Sequence, residues 1–210
     1  MDLLDSSMME DFIFVLGAPG SRWSGVAKSI YHSKDIDHSD STAERQYHNP
    51  HTQALMHLGA YWDPGMEFGQ RLDQFDAWSK TDLTEEFNRP FSGTGRRIIK
   101  SHVLTEHVGH LALLFHAPVV LVYRNNEDCF NWWHEAGGWA ISYPKYDWYK
   151  DDAGMRAQIA RQNASLTRFK DQHGLYTVAN NIELAEKLGI SKSANHLSFT
   201  DCDVYVKLSV

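Results

Sequence analysis

Cysteine is scarce in this chain: Cys129 and Cys202 are the only two among 210 residues. That excludes a disulfide framework and a Cys-rich zinc site, and it leaves two reduced thiols, as expected of a cytoplasmic protein. Long apolar runs are missing too. The first such run, Phe12–Leu16, falls far short of the roughly 20 residues a membrane-spanning helix needs. The opening residues carry no basic n-region, so neither a signal peptide nor a membrane anchor is expected. Positive charge is in deficit, with 20 Lys and Arg against 27 Asp and Glu and a net charge of −7. A general nucleic-acid binder depends on clustered cations to displace counterions from phosphates, so that class is set aside. Twelve histidines raise the question of a metal. The pairs His107/His110 and His48/His51 have helical spacing, but no HExxH accompanies them, and scattered surface histidines account for the number better. No metal is expected.

What is present is the material of one folded domain, residues 1–210, with an ordinary apolar share of 42% and many aromatic side chains. Phe12–Leu16 reads as a strand buried on both faces, broken by Gly17-Ala18-Pro19-Gly20-Ser21, with a helix from about Arg22 to Tyr31. Residues 32–95 are polar and His-rich and read as an insertion that carries an acceptor pocket, with helical pieces near Gln53–Leu58 and Phe68–Trp78. Arg97–Lys100 and Val119–Tyr123 read as strands and Thr105–Phe115 as a helix. Asn126–Glu135 reads as a helix capped by Asn125. Ala153–Lys170 (helix), Leu175–Ala179 (strand) and Ile182–Leu188 (helix, stopped by Gly189) follow. Strands alternating with helices predict an α/β fold, a parallel β-sheet flanked by helices.

Three short segments carry chemistry. The turn Gly17-Ala18-Pro19-Gly20-Ser21-Arg22-Trp23-Ser24 joins a strand to a helix. There, backbone N–H groups and the helix dipole converge on an anion, Gly17 and Gly20 let oxygens come close, and Ser21, Arg22 and Ser24 add donors. It lacks the Gly-Lys-Ser/Thr ending of a Walker A loop, which counts against an ordinary ATP or GTP kinase. Lys100-Ser101-His102 sits at the end of a strand, where residues two apart share a face, so Lys100 and His102 are expected to aim together into the crevice. Arg124 follows the buried run Val119–Tyr123 and offers a guanidinium fork to a phosphate, with Asp128 placed to orient it. Of the cations that would supply local positive charge, Arg22, Arg96, Arg97, Lys100 and Arg124 are the candidates.

In this order the segments resemble the PAPS-dependent sulfotransferases, whose P-loop-like fold holds 3′-phosphoadenosine 5′-phosphosulfate. Pro19-Gly20-Ser21-Arg22-Trp23-Ser24 stands where that family has Pro-(Lys/Arg)-Ser-Gly-Thr-Thr. Lys100-Ser101-His102 matches a Lys-Thr-His segment, and Arg124-Asn125-Asn126-Glu127-Asp128 matches the 3′-phosphate motif. Gly20 replaces the loop's basic residue, and Trp132 replaces a phosphate-binding serine unless a one-residue deletion brings Asn131 there. The resemblance implies sulfuryl transfer from PAPS to a hydroxyl or amine of a small-molecule or carbohydrate acceptor, leaving PAP. It also implies that His102 is the general base, that Lys100 stabilises the bridging oxygen, that residues Gly17 to Ser24 hold the 5′-phosphosulfate, and that Arg124 and Asn131 hold the 3′-phosphate. Two alternatives stand beside it: a catalytically degenerate PAP- or nucleotide-binding module, and another P-loop-like nucleotide-dependent transferase. Oligomeric state is not readable from the sequence.

Overall fold

The structure is a computed structural model that describes residues 11–141 and 146–208. Its centre is a five-stranded sheet. Strands β1 (Phe12–Gly17), β4 (Arg97–Ser101) and β5 (Val119–Tyr123) run parallel, with β1 in the middle of the three. Beyond β5 come β7 (Asp203–Lys207) and then β6 (Tyr176–Val178), giving the order β4-β1-β5-β7-β6. β7 is antiparallel to both of its neighbours. The sheet is therefore mostly parallel rather than wholly so. The apolar alternation of Val204 and Val206 across β7 is short, and it follows a polar stretch that hides it in the sequence.

The strands are apolar on both faces because both are covered. Ile13, Val15, Ile98, Val120, Val122, Val204 and Val206 face α1 (Trp23–Tyr31) and α6 (Asn181–Leu188). Phe12, Phe14, Leu16, Ile99, Val119 and Leu121 face the other layer. That layer comprises α2 (Lys80–Asn88), α3 (Val108–Leu114) and the long α5 (Asp152–Gln172). Phe14 is fully buried there, with Phe87 at 5.5 Å and Phe115 at 5.4 Å between ring centroids.

Local signals explain most boundaries. Asn125 Oδ1 accepts the Asp128 N–H at 2.9 Å and starts α4 (Asn126–Glu135), as expected. Gly189, at φ +66°, ends α6. The expected helix at Gln53–Leu58 is instead β3 (Leu55–Leu58), paired antiparallel with β2 (Gln46–His48). The cause lies in the intervening turn: Asn49 Oδ1 accepts the N–H groups of His51 and Thr52, and its Nδ2 is held by Ala136 O at 2.8 Å. Only a 3-10 segment, Leu72–Ala77, forms within Phe68–Trp78. The unforeseen α2 begins with a capping box between Ser79 and Asp82. No helix among the described residues is long and apolar enough to cross a membrane.

Phe14→Ala is expected to cost about 3–5 kcal/mol, because the fully enclosed ring leaves a cavity that two neighbouring rings cannot both refill; urea unfolding measures it.

Candidate functional site

The parallel register brings three chain segments to one edge. Leu16 lies opposite Ser101 and Gly17 opposite Val122. The turn after β1, His102 after β4 and Arg124 after β5 therefore leave the sheet side by side, at the carboxyl ends of the strands where open α/β sheets bind ligands.

The turn is tight. Ser21 N–H donates to Ala18 O at 3.0 Å, and Gly20 has φ +77°. A Cβ on Gly20 would lie 1.8 Å from the Cys129 carbonyl oxygen, so this glycine lets the turn rest directly on α4. Gly17 is closed in similarly: a Cβ there would be 2.4 Å from Ser21 Oγ. Ser21 is fully buried, and its hydroxyl has no hydrogen-bond partner. Arg22 takes a left-handed conformation at φ +76°, uncommon for a residue with a Cβ. α1 starts just after it with no side-chain cap and no acidic residue in its first turn. The positive end of its dipole is thus left uncompensated by its own sequence. Trp23 is a buried core residue, while Ser24 is half-buried and borders open space.

Two guanidinium groups converge on one indole. Arg22 lies 4.2 Å and Arg124 5.6 Å from the Trp132 ring centroid. Arg124 Nε and Nη1, and Arg22 Nε, are buried without hydrogen-bond partners. Among the described residues, Asp201 is the only carboxylate ion-paired with either arginine, and it pairs with Arg22. Asp203 and Asp128 lie in the same neighbourhood without pairing with the arginines, so it is the unpartnered guanidinium nitrogens that an anion would complete. Nearby, burial holds the Cys202 thiol up at about 11 and the Cys129 thiol at about 12, so neither is an activated nucleophile.

The remaining expected cations lie elsewhere. Arg96 and Arg97 are at the opposite, amino end of β4. Arg96 donates to Leu188 O, and Arg97 bonds Asn88 Oδ1 at 2.6 Å. Asn131 is exposed on α4 and hydrogen-bonds the Glu127 carboxylate; Trp132 holds the place beside the arginines. Asp128 engages the Asn125 side chain rather than Arg124.

Lys100 and His102 do not aim together. The strand ends at Ser101, and His102 has helical angles (φ −87°, ψ −28°), so the two-residue alternation stops one residue short of it. Lys100 is sealed on the α1 face, where its ammonium donates to Leu58 O and lies 5.7 Å from the Tyr31 ring. Burial pushes it down to about 8, against the opposing pull of Asp40. His102 Nε2 lies 2.5 Å from Asp63 Oδ2, and its Nδ1 meets the Gln162 amide Nε2 at 3.2 Å. Asp63 is itself enclosed. Burial would raise its carboxyl, but the charge of His102 and hydrogen bonds from His102, Tyr146 and the Gly65 N–H outweigh that and hold it below the usual range.

A side chain that the sequence did not single out stands closer to the turn. His57, on β3, stacks on Tyr61 (5.1 Å between centroids, 11° between planes) and lies 5.1 Å from Trp23. With Pro19, Gly20, Trp133 and Ile141 it lines a cavity of about 50 Å³. Its Nδ1 is enclosed and has no partner, and burial, followed by the charges of Lys100 and His102, pushes the ring down to about 3. Reading Gln53–Leu58 as a helix concealed it; the pattern Leu55-Met56-His57-Leu58 within a hairpin was the available signal. The cavity adjoins a groove of about 430 Å³ between the β2–β3 hairpin and α4, sharing Arg22, Ser24, Met56, Trp132 and Ala136 with it. Tyr143 falls outside the described residues. Compared with protein-family models, curated proteins and solved structures, the chain matches none of them.

Gly20→Ala should destabilise the fold by more than about 2 kcal/mol, since overlap with α4 backbone adds to the positive-φ penalty; chemical denaturation gives the value. His57 makes a second expectation. As pH falls below 6.5, the unfolded chain gains a proton that the folded ring refuses until about 3, so stability declines through that window. In His57→Gln this part of the acid loss should disappear, seen as a flatter dependence of Tm on pH by scanning calorimetry.

Proposed function

We propose that the protein is a PAPS-dependent sulfotransferase of P-loop-like fold, with the turn from Gly17 to Ser24 holding the 5′-phosphosulfate and Arg124 the 3′-phosphate. One observation carries the reading. The uncapped start of α1, the enclosed and unpartnered Ser21 hydroxyl and the unsatisfied faces of Arg22 and Arg124 gather at one strand edge. Buried polar groups are ordinarily hydrogen-bonded, and a bis-anionic ligand would supply what these lack. A donor with phosphates at both ends suits a site whose donors come from two separate places, the turn and the end of β5. The three sequence segments and their order add to this support.

In this reading Arg22 plays the part of the basic residue missing at Gly20, reaching the anion from the α1 side. Lys100 sits behind the turn with its charge opposed by Asp40, and contributes field rather than contact. His102 is held by Asp63 and Gln162 and serves to position the groups around it.

The engagement of both His102 nitrogens favours a second reading, a nucleotide-binding module without transfer activity. It shares the donor site and differs only in turnover. A thermal-shift comparison of PAP with ATP, GTP and ADP separates the proposed donor class from another nucleotide-dependent transferase.

Calorimetric titration with PAP should show one site. Arg124→Ala should weaken it by about 1.5–3 kcal/mol, the scale of a lost charge-assisted hydrogen bond. Asp201→Asn, which frees Arg22 from its carboxylate, should tighten it. An Arg124→Ala protein with unchanged PAP affinity would remove the arginine from the site.

A further inference from the structure

We propose that the groove between the β2–β3 hairpin and α4 is the acceptor site, that it takes an uncharged hydroxyl compound with an apolar body, and that His57 receives the acceptor's proton. The inference rests on the sulfotransferase reading and extends it to the acceptor.

Continuity is the first argument. The cavity under the turn shares five lining residues with the groove, so a ligand lying in the groove can extend toward Pro19 and Gly20, where the transferring group would sit. Its volume of about 430 Å³ falls within the range of small-molecule pockets.

The walls decide the class. Most of the exposed lining is apolar, contributed by Ala54, Leu55, Met56, Trp132 and Ala136. Several of its polar groups are already spent. Asn49 uses Nδ2 on Ala136 O and Oδ1 on two backbone N–H groups, and Lys28 Nζ donates to Leu55 O at 3.0 Å. A sugar ring needs hydrogen-bonding groups around its whole edge; Ser24, Thr52 and Glu135 remain for it, few against that apolar surface, and each hydroxyl buried without a partner carries a cost. A ring or chain with one hydroxyl loses nothing of that kind and gains from apolar burial.

His57 marks the reacting end. Its Nδ1 is enclosed without a partner beside the turn, whereas both ring nitrogens of His102 are engaged by Asp63 and Gln162. In the transfer, the acceptor oxygen forms a bond to sulfur as the bond from sulfur to the bridging phosphate oxygen breaks. The electron pair of that bond leaves with PAP, and the acceptor's proton passes to His57 and then to solvent. The products are a sulfate monoester and PAP. The depressed basicity of His57 keeps its ring unprotonated, and an anionic donor alongside would raise its proton affinity at the moment of transfer.

The test has two stages. PAP is first titrated into the protein by calorimetry; the PAP-loaded protein is then titrated with 2-naphthol and, separately, with methyl glucoside, followed by saturation-transfer NMR. Naphthol should bind and the glucoside should not. Ala54→Arg, in the groove but outside the cavity under the turn, should weaken naphthol at least tenfold while PAP affinity stays within about twofold. With PAPS and 2-naphthol as substrates, His57→Gln should lower turnover by about two to four decades with naphthol affinity retained. His57→Asn, a second neutral replacement, should lower turnover on the same scale with naphthol affinity retained. This second variant tests the role of His57 even if His57→Gln fails to fold. PAP binding without naphthol binding, stronger binding of the glucoside, or indifference to Ala54→Arg overturns the acceptor site alone. Naphthol that binds without being sulfated, or full turnover in either His57 variant, overturns the role of His57. Failure of PAP to bind overturns the donor reading and this inference with it.

Discussion

The contact of a glycine with a helix backbone governs the geometry of this protein. Gly20 brings the turn after β1 so close to the Cys129 carbonyl that no side chain fits between them. The turn is thereby fixed to α4, and α4 carries Trp132, the ring over which both Arg22 and Arg124 lie. Move the turn by the width of a methyl group and the start of α1, the left-handed Arg22 and the indole would separate. The same contact also sets the width of the cavity beneath the turn, because Trp133 on α4 forms one of its walls.

Below that contact lies a buried polar layer that a core of this size does not need for stability. Lys100 and Asp40, His102 and Asp63, Tyr31, Tyr61 and His57 are mutually close and largely removed from water. Enclosed ion pairs seldom repay their desolvation against well-packed apolar residues. Their arrangement here divides the labour by environment: Asp40 acts on Lys100 and Asp63 pairs with His102, while burial first, and then the positive charges near it, leaves His57 neutral. The two histidines end in different settings: His102 is held by Asp63 and Gln162, and His57 Nδ1 has no partner.

The central strands and the helices between them were legible in the sequence, since a strand covered on both faces reads as an unbroken apolar run and its helices carry caps such as Asn125 and Gly189. The neighbourhood of the turn, Lys100-Ser101-His102 and Arg124 followed from strand order alone. Three things did not. The orientation of His102 depends on β4 ending at Ser101, a matter of one residue that periodicity does not resolve. β7 is a central strand only because it lies between β5 and β6, and its neighbours are distant in sequence. His57 became visible only with the hairpin, whose turn is fixed by Asn49 reaching across to Ala136, a contact spanning 87 positions.

On the sulfotransferase reading proposed above, the two departures from that family's pattern would be physically coupled. A basic residue in place of Gly20 would need a Cβ where the Cys129 carbonyl oxygen stands, so the turn cannot carry its cation at that position and still rest on α4. Charge then has to enter from a neighbouring position, and Arg22 supplies it by adopting a backbone conformation disfavoured for side-chain-bearing residues. A guanidinium in that position needs a surface to hold it, which a serine at position 132 would not provide and an indole does. Gly20, Arg22 and Trp132 thus act as one packed unit: on the proposed reading, the glycine and the tryptophan are what let a positive charge stand at the turn from position 22.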